Sequence, residues 1–210
     1  MREIMTILAG KYSEFCSEAD FQFALAWEIK KYFTEKAVDA EVRLECLAEV
    51  RLKKANKPER RYIDIIVRLN GELFPIELKY KLKEQGRVTD NPPDMVKDIE
   101  RLEKLQSCDL KVHGFSESHI KTGFAIWLTD HEGYIDKEKS KAKPTVHNYY
   151  IWDGEPITGS YSYHDGKKKG KEKHKARIDN KYLIKWEKYE NGKDKKTLWY
   201  ALISIPPVAK

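Results

Sequence analysis

Residues 61–81 constrain this chain more than any other stretch. Two runs rich in β-branched and aromatic residues, 61–69 and 73–80, flank Asn70 and Gly71. An Asn-Gly pair between such runs predicts a tight hairpin turn, because both residues tolerate the positive φ that the turn demands. Within the first run a single aspartate, Asp64, stands among Ile63, Ile65, Ile66 and Val67. The return run carries Glu77 and Lys79, whose spacing of two puts both side chains on one face of a strand. The hairpin then brings Asp64 near Glu77 in the adjacent strand. An aspartate in that apolar company needs a partner or a role.

The rest of the chain supplies a frame for this hairpin. Ser17 is a suitable N-cap, followed by Glu18 and Asp20 where the helix dipole favours negative charge. Phe21, Leu25, Ile29 and Tyr32 recur at helical spacing, predicting an amphipathic helix over 17–33. Residues 40–52 place Val42, Leu44, Cys46, Ala48, Val50 and Leu52 in alternation with charged residues, the pattern of a half-buried strand. A second helix is predicted over 94–106, with Met95, Ile99, Leu102 and Leu105 on its apolar side. Residues 123–129 are continuously apolar, as in a central strand covered on both faces. A helix between two strands suggests a crossover. The order is helix, three strands, helix, strand.

Beyond residue 130 the composition shifts. Short β-like pieces are expected over 148–152 and 160–163, and a lysine-rich loop over 166–175. A closing hairpin is expected from runs 182–189 and 197–205 about Asn191-Gly192. No repeat or linker divides the chain. Residues 1–210 therefore read as one α/β domain, with a core over about 13–130 and a β-rich, lysine-rich extension over about 131–210.

Two carboxylates held as close as Asp64 and Glu77 repel unless a cation lies between them. Ligation by oxygen alone, from two carboxylates, a backbone carbonyl and water, suits Mg²⁺ or Mn²⁺ rather than zinc. Lys79 adds a positive charge useful for holding a phosphate. The bare pattern of acid, any residue, lysine recurs at Glu28-Ile29-Lys30 and Asp194-Lys195-Lys196, in a helix and a polar turn. Context sets Glu77-Leu78-Lys79 apart, since it lies in an apolar strand beside the strand of Asp64. The bland alternative is a cross-strand ion pair between Asp64 and Lys79.

Asp64 on the second strand and Glu77-x-Lys79 on the third, within this order of elements, resemble the PD-(D/E)XK nuclease superfamily. The likeness covers about residues 17–129. It implies a restriction-endonuclease-like core, α-β-β-β-α-β, with a mixed sheet flanked by helices. It also implies a Mg²⁺- or Mn²⁺-dependent deoxyribonuclease in which a metal-activated water hydrolyses the phosphodiester. The resemblance makes Asp64 and Glu77 metal ligands, aided by the Leu78 carbonyl, and Lys79 the catalytic lysine. A glutamate on the first helix near the metal would be Glu18, with Glu28 as second choice. Lys97, on the helix after the motif, is a candidate for DNA contact. Ile63 departs from the proline of the family's name at the position before Asp64, a position that varies within the superfamily. An idle or regulatory nucleic-acid-binding module of the same fold, and a structural protein with an Asp64–Lys79 ion pair, are the competing readings.

The chain has 40 Lys and Arg against 34 Asp and Glu, a net charge of +6. That excess favours polyanionic partners without proving one. Lys167, Lys168 and Lys169, with Lys171, Lys173 and Lys175, are the natural candidates for a flexible phosphate clamp. Cys16, Cys46 and Cys108 are odd in number and widely spaced, which predicts reduced thiols rather than a disulfide framework or a zinc site. The apolar stretch in residues 1–10 is too short for a signal peptide, and no run approaches a membrane span. A cytoplasmic protein is expected. Two copies would be the simplest way to cut both strands of a duplex.

Overall fold

The structure is a computed structural model that describes residues 1–51, 59–85, 91–107, 109–113, 115, 119–140, 150–164, 172–190 and 197–207. In chain order the elements are α1 (Arg2–Lys11), α2 (Glu18–Glu35), β1 (Ala40–Arg51), β2 (Glu59–Leu69), β3 (Glu72–Lys81) and α3 (Asn91–Ser107). They continue as β4 (Asp109–Val112), β5 (His119–Ile120), β6 (Gly123–Thr129), α4 (Glu132–Ile135), β7 (Pro156–His164), β8 (Glu172–Leu183), β9 (Trp186–Tyr189) and β10 (Leu198–Ile205). The main sheet runs β4-β1-β2-β3-β6-β10-β9, with β5 paired to β3. Its β3–β6 contact is parallel and β2–β3 and β6–β10 are antiparallel, so the sheet is mixed. Helices flank it, which makes this an α/β fold.

The local signals act as expected. Ser17 caps α2, its hydroxyl accepting from the Asp20 N–H at 3.1 Å. Asn70 and Gly71 have φ of 51° and 79°, the mirror-image turn that suits the twist of β2 and β3. The α3 crossover carries β3 to β6, which lies between β3 and β10 as its apolar run predicts. At its start Gly123 lets the helix approach: a Cβ there would come within 3.1 Å of the Leu102 side chain.

Two apolar layers cover the sheet. One joins α1 and α2 to Ile65, Val67, Ile76, Leu78, Tyr80, Ile126 and Leu128. The other joins α3 and the β7–β8 hairpin to Ile63, Ile66, Leu73, Ala125 and Trp127. The expected single alternation along β1 does not hold. Val42 packs on the α2 side, Leu44 is exposed, and Cys46 and Ala48 pack on the α3 side. Residues an even number apart share a face in a regular strand, so the strand turns over between them. The cause is Glu45, whose φ of 48° is left-handed. The same inversion occurs in β2, where Ile63 and Ile65 belong to opposite layers with Asp64 between them.

Two further expectations need correction. The segment beyond residue 130 is not an appendage, because β10 pairs with β6 and β9 with β10, extending the main sheet. The expected 166–175 loop does not hold from Glu172 onward, where β8 begins and pairs with β7; residues 166–171 lie outside the described residues. The first ten residues form most of α1, which buries Ile4, Met5, Leu8 and Ala9 against α2. The Asn191-Gly192 turn and Lys167, Lys168, Lys169 and Lys171 lie outside the described residues, as does Cys108. Among the described residues no helix is long and apolar enough to cross a membrane.

Candidate active site

The regular β2–β3 ladder ends at the Ile65–Ile76 pair, and the next residues on each side are Asp64 and Glu77. There the strands part. The carboxylate of Asp64 takes over the role of the lost ladder bond, its Oδ2 accepting the Leu78 N–H at 2.6 Å. That bond satisfies a strand amide with a side chain and holds Asp64 half-buried at the opening. Glu77 and Lys79 lie on the α3 side of β3, and the α3 residues Asp98 and Arg101 meet them there.

The Lys79 ammonium is the centre of the cluster. It donates to the Leu78 carbonyl at 2.7 Å and lies 3.5 Å from Glu18 Oε1 and 3.3 Å from Asp98 Oδ2. Glu18 reaches in from the first turn of α2, accepting the Tyr80 N–H at 3.0 Å and pairing with Lys81 at 2.9 Å. Asp98, fully buried, pairs through Oδ1 with Arg101 at 2.9 Å, and Arg101 lies 3.9 Å from Glu77 Oε2. On the other side Gln22 donates to the Asp64 carbonyl at 2.6 Å and to Glu45 Oε1 at 3.0 Å. The left-handed Glu45 is thereby tied to the strand that carries Asp64.

Burial and charge set the protonation pattern. Glu77 is 2% exposed, and burial, followed by the Asp98 and Asp64 charges, pushes its carboxyl well above the usual range. Arg101 and Lys79 pull the other way without overcoming this. Asp98 is raised by burial against the pull of Lys79 and Arg101. Asp64 is raised by burial too, partly offset by Lys79 and the Leu78 N–H. Burial would raise Glu18, but Lys79, Lys81 and the Tyr80 N–H outweigh it and hold Glu18 below its ordinary value. Burial would lower Lys79, yet Asp98, Glu18, Asp64 and Glu77 together raise it. The site holds charged lysine and is reluctant to ionise all its acids.

The donor set of Asp64, Glu77, Glu18 and the Leu78 carbonyl consists of hard oxygens, the chemistry that Mg²⁺ or Mn²⁺ takes. Asp98 Oδ2 is buried without a hydrogen bond and is met by an ammonium at 3.3 Å, a further mark of a place that favours positive charge. Among the described residues no three His, Cys, Asp or Glu side chains converge closely enough to hold a metal ion by themselves. The Lys79 ammonium stands among them and holds the Leu78 carbonyl. The residues thus fit a divalent cation in kind, with Lys79 having to release that carbonyl.

The structure brings together Asp64, Glu77, Leu78, Lys79 and Glu18. Glu28, the second choice on α2, is elsewhere: it is buried and paired with Lys11 of α1. Lys97 pairs with Asp94 at 3.9 Å in the first turns of α3. Asp98, Arg101, Gln22, Glu45 and Lys81 were not anticipated as site residues. Asp98 had a readable signal: it lies three residues after Met95 and four before Leu102, a carboxylate on the apolar stripe of its helix. Gln22 is buried one turn beyond Glu18 beside Phe21. Compared with models of protein families, with curated proteins and with solved structures, the chain matches none.

Proposed function

We propose that this chain is a metal-dependent phosphodiesterase acting on DNA, on a restriction-endonuclease-like core of the PD-(D/E)XK type. The observation that carries the reading is the meeting of Asp64, Glu77 and Lys79 where β2 and β3 part. Four carboxyl groups, Glu18, Asp64, Glu77 and Asp98, gather there against Lys79, Lys81 and Arg101. Such an excess of acid favours an added cation. A simple cross-strand ion pair would join Lys79 to Asp64, whereas Lys79 pairs with Glu18 and Asp98. The order α2, β1, β2, β3, α3, β6, with β3 and β6 parallel, supports the core.

In this reading Asp64, Glu77 and the Leu78 carbonyl hold Mg²⁺ or Mn²⁺, with Glu18 beside them. A bound cation supplies Lewis-acid stabilisation of the charge that develops on phosphoryl and leaving oxygens. Lys79 donates to a non-bridging phosphate oxygen and helps neutralise the transition state. Asp98 fixes the lysine, and Arg101 steadies both Asp98 and Glu77. The Leu78 N–H keeps Asp64 aimed into the opening.

The test is incubation with supercoiled, linear duplex and single-stranded DNA, each in Mg²⁺, Mn²⁺ or EDTA. Cleavage that needs the metal and disappears in Glu77→Gln is the expected result. DNA binding with no cleavage in any metal would favour a nucleic-acid-binding module instead. Neither binding nor cleavage would leave the cluster as a structural ion network.

A further inference from the structure

Asp64 lies where strand pairing fails on both of its sides. Along β1 and β2 the partners run Leu44 with Ile65 and then Cys46 with Ile63, passing over Glu45 and Asp64. Along β2 and β3 the pairing stops at Ile65 and Ile76. A residue passed over by both neighbours lacks the ladder that fixes a strand in place, so its main chain needs another anchor. Gln22 supplies it. This side chain is 8% exposed, and its amide nitrogen donates to the Asp64 carbonyl at 2.6 Å and to Glu45 Oε1 at 3.0 Å. We propose that Gln22 is a positioning residue for the metal, which by holding the Asp64 main chain sets where the Asp64 carboxylate stands at the opening. The inference rests on the phosphodiesterase reading, in which Asp64 is a ligand, and adds to its site a residue that touches neither metal nor substrate.

The place of Gln22 on its helix strengthens the assignment. It follows Glu18 by four residues, one turn along the same face of α2. Glu18 accepts the Tyr80 N–H of β3 at 3.0 Å, while Gln22 holds the Asp64 carbonyl of β2. One turn of one helix therefore grips both strands where they part and fixes the width of the opening. Both partners of Gln22 accept through oxygen, so the amide presents its nitrogen to them, one hydrogen to each. These two bonds also account for a polar side chain this deeply buried. At its other end Asp64 is held by the Leu78 N–H, which donates to Oδ2 at 2.6 Å. A ligand anchored through both main chain and side chain needs little reordering when a cation arrives. Losing an outer partner of that kind commonly weakens metal binding about 10- to 100-fold.

The experiment titrates the full chain with Mn²⁺ by isothermal calorimetry, in the absence of DNA. Gln22→Met keeps the length of the side chain and removes the donor. It is expected to fold, by circular dichroism, and to bind Mn²⁺ on the order of tenfold more weakly than wild type. Glu28→Gln is the control, because it disturbs a buried pair with Lys11 on the same helix, away from the opening. It should leave Mn²⁺ affinity unchanged even if it lowers the melting temperature. Should Gln22→Met fail to fold, Gln22→Asn carries the same expectation, since it keeps the amide but is one methylene short of its two acceptors. Wild-type affinity in the folded Gln22 variant overturns the proposal and leaves the phosphodiesterase reading standing. Equal weakening in Glu28→Gln also overturns it, since general loosening of α2 would then be the cause. Wild-type protein that binds no Mn²⁺ overturns the proposal and the metal-dependent reading together. Mn²⁺ binding that depends on Gln22 in a protein that cleaves no DNA would sink the phosphodiesterase reading alone.

Discussion

Glu103 on α3 and Tyr182 on β8 are joined by a buried hydrogen bond of 2.9 Å, the phenol donating to Glu103 Oε1. The same carboxylate accepts the Asp179 and Asn180 N–H groups and the Asn180 side-chain amide, so it is a buried charge fully provided with donors. Burial, reinforced by the neighbouring carboxylate, raises the Tyr182 pKa. The pair fastens the β7–β8 hairpin to the helix that also carries Asp98 and Arg101. Glu103→Ala should cost about 2 kcal/mol, because it removes the acceptor of a buried phenol and of three part-buried N–H groups, and Tyr182→Phe about 1 kcal/mol. Urea denaturation measures both. A loss under about 0.5 kcal/mol for Glu103→Ala, the range of an ordinary surface change, would show that the hairpin is held some other way.

The catalytic assignment makes a separable prediction. Asp64→Ala and Lys79→Ala should each abolish metal-dependent cleavage while the protein still folds, since these side chains line an opening rather than fill a core. Asp64→Asn keeps an oxygen to accept the Leu78 N–H, so in EDTA it should melt no lower than wild type. Mn²⁺ should raise the melting temperature of the wild type but not of Asp64→Asn. A variant with near wild-type cleavage would remove that residue from the mechanism.

The raised carboxyl of Glu77 has a signed consequence for stability without metal. A group whose native pKa exceeds its unfolded value contributes stability that is fully present below the unfolded value and is lost as pH rises through the native one. Glu18, held low, acts in the opposite sense and only near or below the ordinary carboxylate range. Between that range and neutral pH, the EDTA-treated protein should therefore lose stability as pH rises. Glu77→Gln, neutral throughout, should reduce this dependence, leaving the part due to Asp98 and Asp64, and be the more stable at the alkaline end. His131, lowered by burial, opposes this trend, so the comparison decides: the same pH dependence in wild type and Glu77→Gln would contradict the burial of an acid there.

The turn between β2 and β3 offers a test free of side-chain contacts. Gly71 has φ of 79°, and a Cβ placed on it would meet no atom within 4 Å. Gly71→Ala therefore costs only backbone strain, about 1 kcal/mol, whereas Asn70→Gly should be close to neutral. Equal melting temperatures for Gly71→Ala and wild type would mean the turn relaxes to another form.

Much of the fold could be read locally. The Ser17 cap, the Asn70-Gly71 turn and the 3.6-residue stripe of Met95, Ile99 and Leu102 each act within a few residues, so the sequence states them directly. Asp64, Glu77 and Lys79 were legible because a charged residue inside an apolar strand is conspicuous. Other features depend on contacts between distant segments. Nothing near residues 198–205 announces that β10 will lie beside β6 rather than in a separate extension. The resemblance points to a lysine on the following helix and so to Lys97, whereas only the docking of α3 on β3 turns Asp98 inward. Glu45 looked like one more polar residue in an alternating strand, since a left-handed backbone leaves no mark on hydropathy.

That left-handed residue has a wider consequence. A crystal accommodates a misfit between two lattices by a dislocation, a single line along which neither order is complete. Glu45 and Asp64 form such a line across β1 and β2: residues an even number apart face one apolar layer before it and the opposite layer after it. A residue on the line is owed to neither layer. A carboxylate can therefore stand in mid-strand, rigidly held yet reachable from outside, without being sealed into oil. Restoring regular alternation there would bury Asp64 or expel it, and the defect in the sheet is what keeps its carboxyl group half-buried at the opening.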